Sequence, residues 1–197
     1  MNLIVENQTF TNPLLVFAME VEAGNHFEEQ RKIFTGIGKV NAVYELMKAI
    51  SAQKPDVVIN LGTAGSTTFK KGEIVCCTEF IQRDMEVTAL GFQKFETPFS
   101  NEPVVLNYGL NLENFTKGIC GSGDNFEMEH QNPEYNVIDM EAFALAKVCE
   151  RENIPFLCLK YISDGANDNA VSDWNEEVKK ASKRLRDIIN SHEWTNI

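Results

Sequence analysis

The stretch Val57-Val58-Ile59-Asn60-Leu61 is a short apolar run rich in β-branched residues, and it stops at Gly62-Thr63-Ala64-Gly65-Ser66. Its length and composition predict a buried strand, and the glycines after it permit a ligand to approach the main chain. Just before it, apolar residues recur every three or four positions and predict a helix that Pro55 helps to end, namely Val40, Val43, Met47 and Ile50. A helix that leads into a buried strand is typical of an α/β fold.

Short apolar runs and helical segments alternate along the rest of the chain. Further strands are predicted at residues 14–18, 74–77 and 156–161, with a weaker one at 118–121. Another helix is predicted to start near Asp139. Because no repeat, low-complexity tract or linker interrupts the pattern, residues 1–197 are expected to form a single domain.

The closing helix carries the clearest helical pattern. Asp173 and Glu176 have the spacing of a capping box, which predicts a helix start at Asp173. One apolar stripe follows, and it is expected to belong to the core: Trp174, Val178, Ala181, Leu185 and Ile188.

The charge balance bears on the class of partner. With 29 acidic against 18 basic residues, the net charge of −11 would repel a polyanion, so nucleic acid is not an expected partner. No apolar stretch approaches the roughly 20 residues that span a bilayer, and the N-terminus lacks a basic region followed by an apolar one. A cytoplasmic protein without a membrane partner is therefore expected.

The cysteines and histidines bear on the redox compartment and on metals. The five cysteines are an odd number in apolar surroundings, as in Ile74-Val75-Cys76-Cys77, and they predict thiols of the core in a reducing compartment. There is no Cys-x-x-Cys pair, and the three histidines are scattered. We expect a site without a metal ion.

Three carboxylates lie near predicted ends of strands or helices, in Asp139-Met140-Glu141-Ala142 and Ile162-Ser163-Asp164-Gly165. Acidic groups at such ends can converge on one pocket, which suits a reaction that needs an acid, a base and a clamp for sugar hydroxyls. This combination indicates cleavage of a glycosidic bond. An Asp that acts as an acid near neutral pH needs a pKa well above its usual value of about 3.9, and burial at a strand end would give Asp164 that property.

Each motif taken alone has a structural alternative. Asp139 could cap a helix whose first turn holds Glu141, and Asp164-Gly165 could form a turn. The glycines of Gly62-Thr63-Ala64-Gly65 could simply reverse the chain, and Phe126 could be a core residue. The order in which the motifs occur along the chain is harder to explain by these structural roles alone.

The motifs, in order, closely resemble the nucleoside phosphorylase and nucleosidase superfamily, and specifically the 5′-methylthioadenosine/S-adenosylhomocysteine nucleosidases. The resemblance extends from about residue 14 to about residue 190. It implies a three-layer α/β/α domain with a mixed, mostly parallel central sheet. The motifs that carry it are Ala18-Met19-Glu20-Val21-Glu22, Gly36-Ile37-Gly38-Lys39-Val40, Asn60-Leu61-Gly62-Thr63-Ala64-Gly65, Ser122-Gly123-Asp124-Asn125-Phe126, Asp139-Met140-Glu141-Ala142 and Ile162-Ser163-Asp164.

The resemblance also implies the catalytic residues. Asp164 would donate a proton to N7 of adenine, and Glu22 would position or activate the attacking water. Ser163 would orient Asp164. The family works without a metal or organic cofactor, and its small-molecule partner is a purine nucleoside.

The resemblance further implies the substrate-binding residues. Glu141 would grip the ribose hydroxyls and Met140 would contact the ribose, while Phe126 would stack on the purine. Thr63, Ala64 and Gly65 would line the sugar side.

Family members are generally homodimers, in which the segment matching residues 84–91 reaches toward the neighbouring subunit's pocket. Leu90, Phe92 and Pro98 could then help to enclose the 5′ substituent.

Several departures from the family pattern keep alternatives open. Too few residues separate Glu22 from Gly36 for the usual extra strands, so the chain is a shortened version. Asp139 and Lys160 stand where bacterial members usually carry Glu and Arg. A purine nucleoside phosphorylase and a nucleoside-binding relative without catalysis are the alternatives, although Arg31, Lys32 and Lys39 form no recognisable phosphate site.

Overall fold

The computed structural model describes residues 3–5, 8–130, 132–167 and 169–190. The strands are β1 (Leu3–Val5), β2 (Gln8–Phe10), β3 (Pro13–Phe17), β4 (Lys32–Phe34), β5 (Val57–Gly65), β6 (Ile74–Gln82), β7 (Leu106–Asn107), β8 (Thr116–Ser122), β9 (Val137–Asp139) and β10 (Phe156–Asp164). The helices are α1 (Glu20–Ala23), α2 (Lys39–Ala52), α3 (Ala142–Glu152) and α4 (Ala170–Asn190), with a 3₁₀ turn at Thr88–Leu90.

The central sheet has eight strands and closes partly on itself. Its path is β10-β6-β8-β9-β5-β3-β4, and β10 also pairs with β5, so five strands form a ring from which β3 and β4 extend. Five of its pairings are parallel and three, β10–β6, β5–β9 and β6–β7, are antiparallel. The predicted mixed, mostly parallel sheet is confirmed.

Helices cover the sheet on two sides, which confirms the three-layer α/β/α arrangement. One core cluster joins α2 and α3 to alternate residues of the strands, such as Val58 and Phe156. The other cluster joins α4 and α1 to the opposite face, through residues such as Ile59 and Leu159. Alternate residues of β5 and β10 therefore pack in opposite core clusters, because successive side chains of a strand point to opposite faces of the sheet.

The buried face of α2 matches the predicted one only in part: Ile50 is buried and Met47 packs partly buried against the core as predicted. Ala42, Leu46 and Ile50 face the core, whereas Val40 is 78% exposed and Val43 is 38% exposed. The helix has apolar residues on two faces, and spacing alone does not tell which of them meets the sheet.

The start of α3 also differs from the prediction. Asp139 ends β9, and the helix begins at Ala142. The N-cap residue is Glu141, but the Asp139 carboxylate accepts a hydrogen bond from the Ala142 amide at 2.9 Å, so Asp139 ends a strand and also satisfies the first amide of the helix.

The predicted capping box of α4 is wrong. The helix starts at Ala170, and the Asp173 amide already donates to the Asn169 carbonyl at 3.0 Å. Val178, Ala181 and Leu185 are buried as predicted, and Ile188 packs partly buried against the core. Trp174 is only half-buried and faces a cavity instead of the core.

All five cysteines are buried in the core. In the described part of the chain, no helix has both the length and the apolar character needed to cross a membrane. The same residues contain no cluster of three or more His, Cys, Asp or Glu side chains arranged to hold a metal ion.

Candidate active site

A cavity of about 320 Å³ lies where β5, β9 and β10 end, beside α1 and the start of α4. All nine site residues predicted from the sequence line it: Glu22, Thr63, Ala64, Gly65, Phe126, Met140, Glu141, Ser163 and Asp164. The sheet brings them together because β5 and β10 run parallel and end at the same edge.

Asp164 is the last residue of β10 and is 5% exposed. Its Oδ1 accepts a hydrogen bond from the Ala166 amide at 2.9 Å, and its Oδ2 accepts one from the Ser163 hydroxyl at 2.8 Å. Burial raises the pKa of Asp164 above its usual value and outweighs these hydrogen bonds, which favour the charged form. The side chain therefore holds a proton more readily than an exposed Asp would.

Gly65 leaves the space that the Asp164 carboxyl occupies. A Cβ at this position would lie 2.8 Å from Asp164 Oδ1, closer than non-bonded atoms approach. The glycine at the end of β5 is thus required by packing against a site carboxyl.

Glu22 lies in the short helix α1, directly after β3, and is 3% exposed. Its Oε1 accepts from the Thr63 amide and the Thr63 hydroxyl, both at 2.9 Å. Its Oε2 accepts from the Ala18 and Met19 amides, both at 3.2 Å. Four donors hold this carboxylate in one orientation at the cavity wall.

Glu141 lies between β9 and α3, and its Oε1 accepts a hydrogen bond from the Gly38 amide at 2.8 Å. Burial, together with the nearby Asp139 charge, raises the pKa of Glu141 to about 8 against the opposing effect of Lys160. Near neutral pH this group is largely protonated, and it can both donate and accept hydrogen bonds.

Asp139 and Lys160 form a buried ion pair beneath the cavity, with Lys160 Nζ 2.8 Å from Asp139 Oδ2. Burial opposes the charged form of Asp139, but the Lys160 ammonium outweighs it and lowers the pKa of Asp139. The Ser122 hydroxyl donates to the other oxygen of this carboxylate at 2.5 Å. Asp139 stays ionised next to Glu141, which is one reason why the pKa of Glu141 is raised.

Phe126 stands at the cavity mouth on the loop after β8 and is 49% exposed, so it is not a core residue. Arg83 holds this loop by hydrogen bonds: its guanidinium donates to the Asn125 carbonyl at 2.5 Å and to Asn125 Oδ1 at 2.9 Å. The same guanidinium is 3.0 Å from the Glu127 carboxylate. A buried cation thus fixes the backbone that presents Phe126.

Arg83 and Trp174 are among the residues of the cavity wall that sequence reasoning missed. Arg83 follows β6 and has no motif around it, so the sequence carries no signal for it. Trp174 was assigned to the core because it fits the apolar stripe of α4. The indole N–H of a Trp usually needs a hydrogen-bond partner, so a Trp in the first turns of a helix weakly indicates a position at a pocket.

Leu90, Phe92 and Pro98 are not on the cavity wall of this chain. Leu90 is 72% exposed in the 3₁₀ turn, and Phe92 packs edge-on against Phe99 at 5.2 Å between ring centroids. Their predicted contact with a substrate would need a second subunit.

Comparison with known proteins extends these observations. The family model of the phosphorylase superfamily matches residues 32–191. The 5′-methylthioadenosine/S-adenosylhomocysteine nucleosidase of Buchnera aphidicola is 31% identical, in an alignment that covers 80% of this chain and 76% of the relative.

Two solved structures share the fold. The 5′-methylthioadenosine/S-adenosylhomocysteine nucleosidase of Helicobacter pylori, solved with butyl-thio-DADMe-Immucillin-A, superposes with a TM-score of 0.80 at 18% identity, over 92% of this chain and 98% of that one. The futalosine hydrolase of Helicobacter pylori gives a TM-score of 0.81 at 17% identity, over 93% and 97%. The fold is therefore common to enzymes with different names. By its family model and its curated relatives, this chain belongs to the phosphorylase superfamily and, within it, to the 5′-methylthioadenosine/S-adenosylhomocysteine nucleosidase family.

Proposed function

We propose that this protein hydrolyses the N-glycosidic bond of 5′-methylthioadenosine, of S-adenosylhomocysteine, or of both, and releases adenine. The observation that carries the proposal is the convergence of Asp164 and Glu22 on one cavity, where Asp164 has a raised pKa and Glu22 is held by four donors. The curated relatives bear the same activity in their names.

The reaction needs a proton at the base and a nucleophile at the sugar. As the bond between C1′ and the purine nitrogen lengthens, its electron pair moves into the purine, and Asp164 gives its proton to N7. The sugar becomes an oxocarbenium-like cation, and water attacks C1′ while Glu22 accepts a proton from that water. Burial of Asp164 supports the first role, and the fixed orientation of Glu22 supports the second.

The remaining cavity residues suit a nucleoside. Glu141 can donate to and accept from ribose hydroxyls, and Met140 lies next to it on the same wall. Phe126 offers an aromatic face to the purine at the cavity mouth. Thr63, Ala64 and Gly65 form the wall beside Glu22, where the sugar would lie, and Ser163 holds the Asp164 carboxyl by a hydrogen bond.

Water is a better nucleophile for this site than phosphate. A phosphate dianion needs cationic partners. The guanidinium on the described cavity wall, that of Arg83, is already engaged with Glu127 and Asn125, and the buried Lys160 is paired with Asp139. Glu22 would repel the dianion at close range.

We also infer that the protein is a cytoplasmic homodimer and that residues 1–197 form one domain. An apolar groove between α2 and α3 contains Val40, Val43 and Tyr44, and it adjoins the cavity rim at Ile37. Tyr44 is 65% exposed, and a second copy seated on this groove would remove such apolar surface from water. An odd number of cysteines, all buried among apolar residues, suits a reducing compartment.

The test incubates the purified protein with 5′-methylthioadenosine or S-adenosylhomocysteine, in phosphate-free buffer and with phosphate added, and follows free adenine by chromatography. Release of adenine in phosphate-free buffer supports hydrolysis. The ratio of the kcat/KM values for the two nucleosides identifies the preferred substrate. Strict dependence on phosphate would make the protein a phosphorylase. Tight binding by calorimetry without adenine release would make it a binding protein.

Sedimentation equilibrium tests the dimer. We expect a mass of two chains, and Tyr44→Asp should shift it toward one chain. A wild-type monomer would contradict the inference.

A further inference from the structure

Trp174 of α4 is linked to Glu22 through the hydroxyl of Thr63. The indole Nε1 lies 2.9 Å from Thr63 Oγ1, and Thr63 Oγ1 lies 2.9 Å from Glu22 Oε1. An indole N–H can only donate, whereas a hydroxyl has one proton and can also accept. Thr63 therefore accepts from Trp174 and directs its own proton to Glu22, so the two hydrogen bonds have one fixed direction.

This link connects residues that are far apart in the sequence. Trp174 and Thr63 are separated by 111 positions, and Thr63 and Glu22 by 41. Without the indole, the Thr63 hydroxyl could rotate toward other acceptors or toward a molecule in the cavity. The indole removes this freedom and keeps one of the four donors on the Glu22 carboxylate.

The helix that carries Trp174 is anchored on both sides of the residue. The Tyr161 hydroxyl donates to the buried Glu177 carboxylate at 2.5 Å, and the Ser182 hydroxyl donates to the Ala23 carbonyl of α1 at 2.7 Å. Lys71 forms an ion pair of 3.0 Å with Asp173 in the first turns of α4. These contacts fix the position of α4, and with it the indole, relative to Thr63 at the end of β5 and to Glu22 in α1.

We propose that Trp174 is a positioning residue for Glu22, which it orients through the Thr63 hydroxyl. The inference rests on the proposed function, in which Glu22 holds the attacking water. Misorientation of this base affects the step in which water attacks and has little effect on nucleoside binding, because Trp174→Phe keeps the aromatic wall. The expected signature is a loss in kcat with KM little changed.

The variants are Trp174→Phe, Thr63→Val, Thr63→Ser and the double variant Trp174→Phe/Thr63→Val, assayed for adenine release from 5′-methylthioadenosine. Trp174→Phe should lower kcat roughly threefold to tenfold, the range for one hydrogen bond. Thr63→Val should lower kcat at least as much, and Thr63→Ser should lower it less than Thr63→Val because the hydroxyl remains. The double variant should match Thr63→Val alone, since both changes break the same link. Trp194→Phe removes the chain's other indole and is the matched control.

Wild-type kcat in Trp174→Phe would overturn the inference. Losses that multiply in the double variant would also overturn it, because they would show independent effects.

A second readout does not depend on activity. The indole ¹⁵N–¹H resonance of Trp174, assigned with Trp174→Phe, should move in Thr63→Val and also in Glu22→Ala, although the indole donates to Thr63 and not to Glu22. An unmoved resonance in Glu22→Ala would overturn the inference. If the wild-type protein releases no adenine while both variants move the resonance, the link is supported and the proposed hydrolase fails.

Discussion

The floor and the rim of the cavity are built in opposite ways. The floor, which consists of Glu22, Glu141 and Asp164, is 3%, 7% and 5% exposed. The rim, which consists of Ile37, Phe126 and Val171, is 48%, 49% and 54% exposed. Each floor carboxyl accepts hydrogen bonds from backbone amides, whereas the rim residues are apolar side chains on loops and at helix ends.

This difference separates two tasks. Burial raises the pKa values of Glu141 and Asp164, and hydrogen bonds fix the orientation of all three floor carboxyls, which suits proton transfer. Exposed apolar side chains can rearrange at low cost and can change from one family member to another without disturbing the floor. We therefore expect substitutions in the floor to affect the chemical step and stability, and substitutions in the rim to affect substrate affinity.

The largest effect is expected from Asp164→Asn in the floor. Loss of the proton donor should lower kcat for adenine release by about 10²–10⁴, while the fold remains because the amide is of similar size. Steady-state kinetics measure the loss, and Asp187→Asn, which changes an ion pair with Arg186 outside the cavity wall, is the control. Full activity of Asp164→Asn would remove this residue from the mechanism.

Lys160→Met tests the ion pair beneath the floor. It leaves the Asp139 charge buried without its partner and should lower the free energy of unfolding by about 3–5 kcal/mol. Urea denaturation measures the change. Lys48→Met breaks the exposed ion pair with Glu45 and should cost less than about 1 kcal/mol. Equal losses in the two variants would contradict the distinction between buried and surface pairs.

The raised pKa of Glu141 predicts a pH dependence of stability. The unfolded carboxyl titrates near 4.5 and the folded one at about 8, so between these values the folded protein binds more protons. The free energy of unfolding should therefore fall as pH rises through this window, by up to about 1.4 kcal/mol per pH unit from this group. Asp164, whose pKa is also raised, acts in the same direction.

Urea denaturation between pH 5 and pH 8 checks this dependence. Glu141→Gln should have a shallower decline than the wild-type protein, and the surface variant Glu45→Gln should not. A decline of the same slope in Glu141→Gln would show that the carboxyl is not the source.

The smallest effect is expected at the rim. Phe126→Ala should raise KM roughly tenfold through lost stacking on the base, and it should change the free energy of unfolding little because the ring is half exposed. Met128→Ala, a change in the same loop but outside the cavity wall, is the control. A loss of kcat at unchanged KM would place Phe126 in the chemical step. It would contradict the expectation that rim residues affect substrate affinity alone.

The sequence predicted the floor well because its residues follow strands. Strand ends are visible as the point where an apolar run stops, and parallel strands bring such points to one edge of a sheet. The element ends were therefore enough to expect the carboxyls of Asp139, Glu141 and Asp164 near one pocket, whereas Glu22 and Thr63 came from the family resemblance. The capping box at Asp173 failed because its spacing of three residues occurs equally within a helix, where it has no capping role.

The sequence by itself determined the class of the elements, the places where the strands end and the chemical character of the floor. The tertiary structure decided the closure of the sheet through β10 and β5, the buried face of α2 and the partners of Arg83 and Trp174. Local patterns reflect the periodicity and hydrogen bonding of neighbouring backbone. Contacts such as that of Trp174 with Thr63 depend on the free energy of packing and desolvation between distant segments. A local sequence pattern carries no information about that free energy.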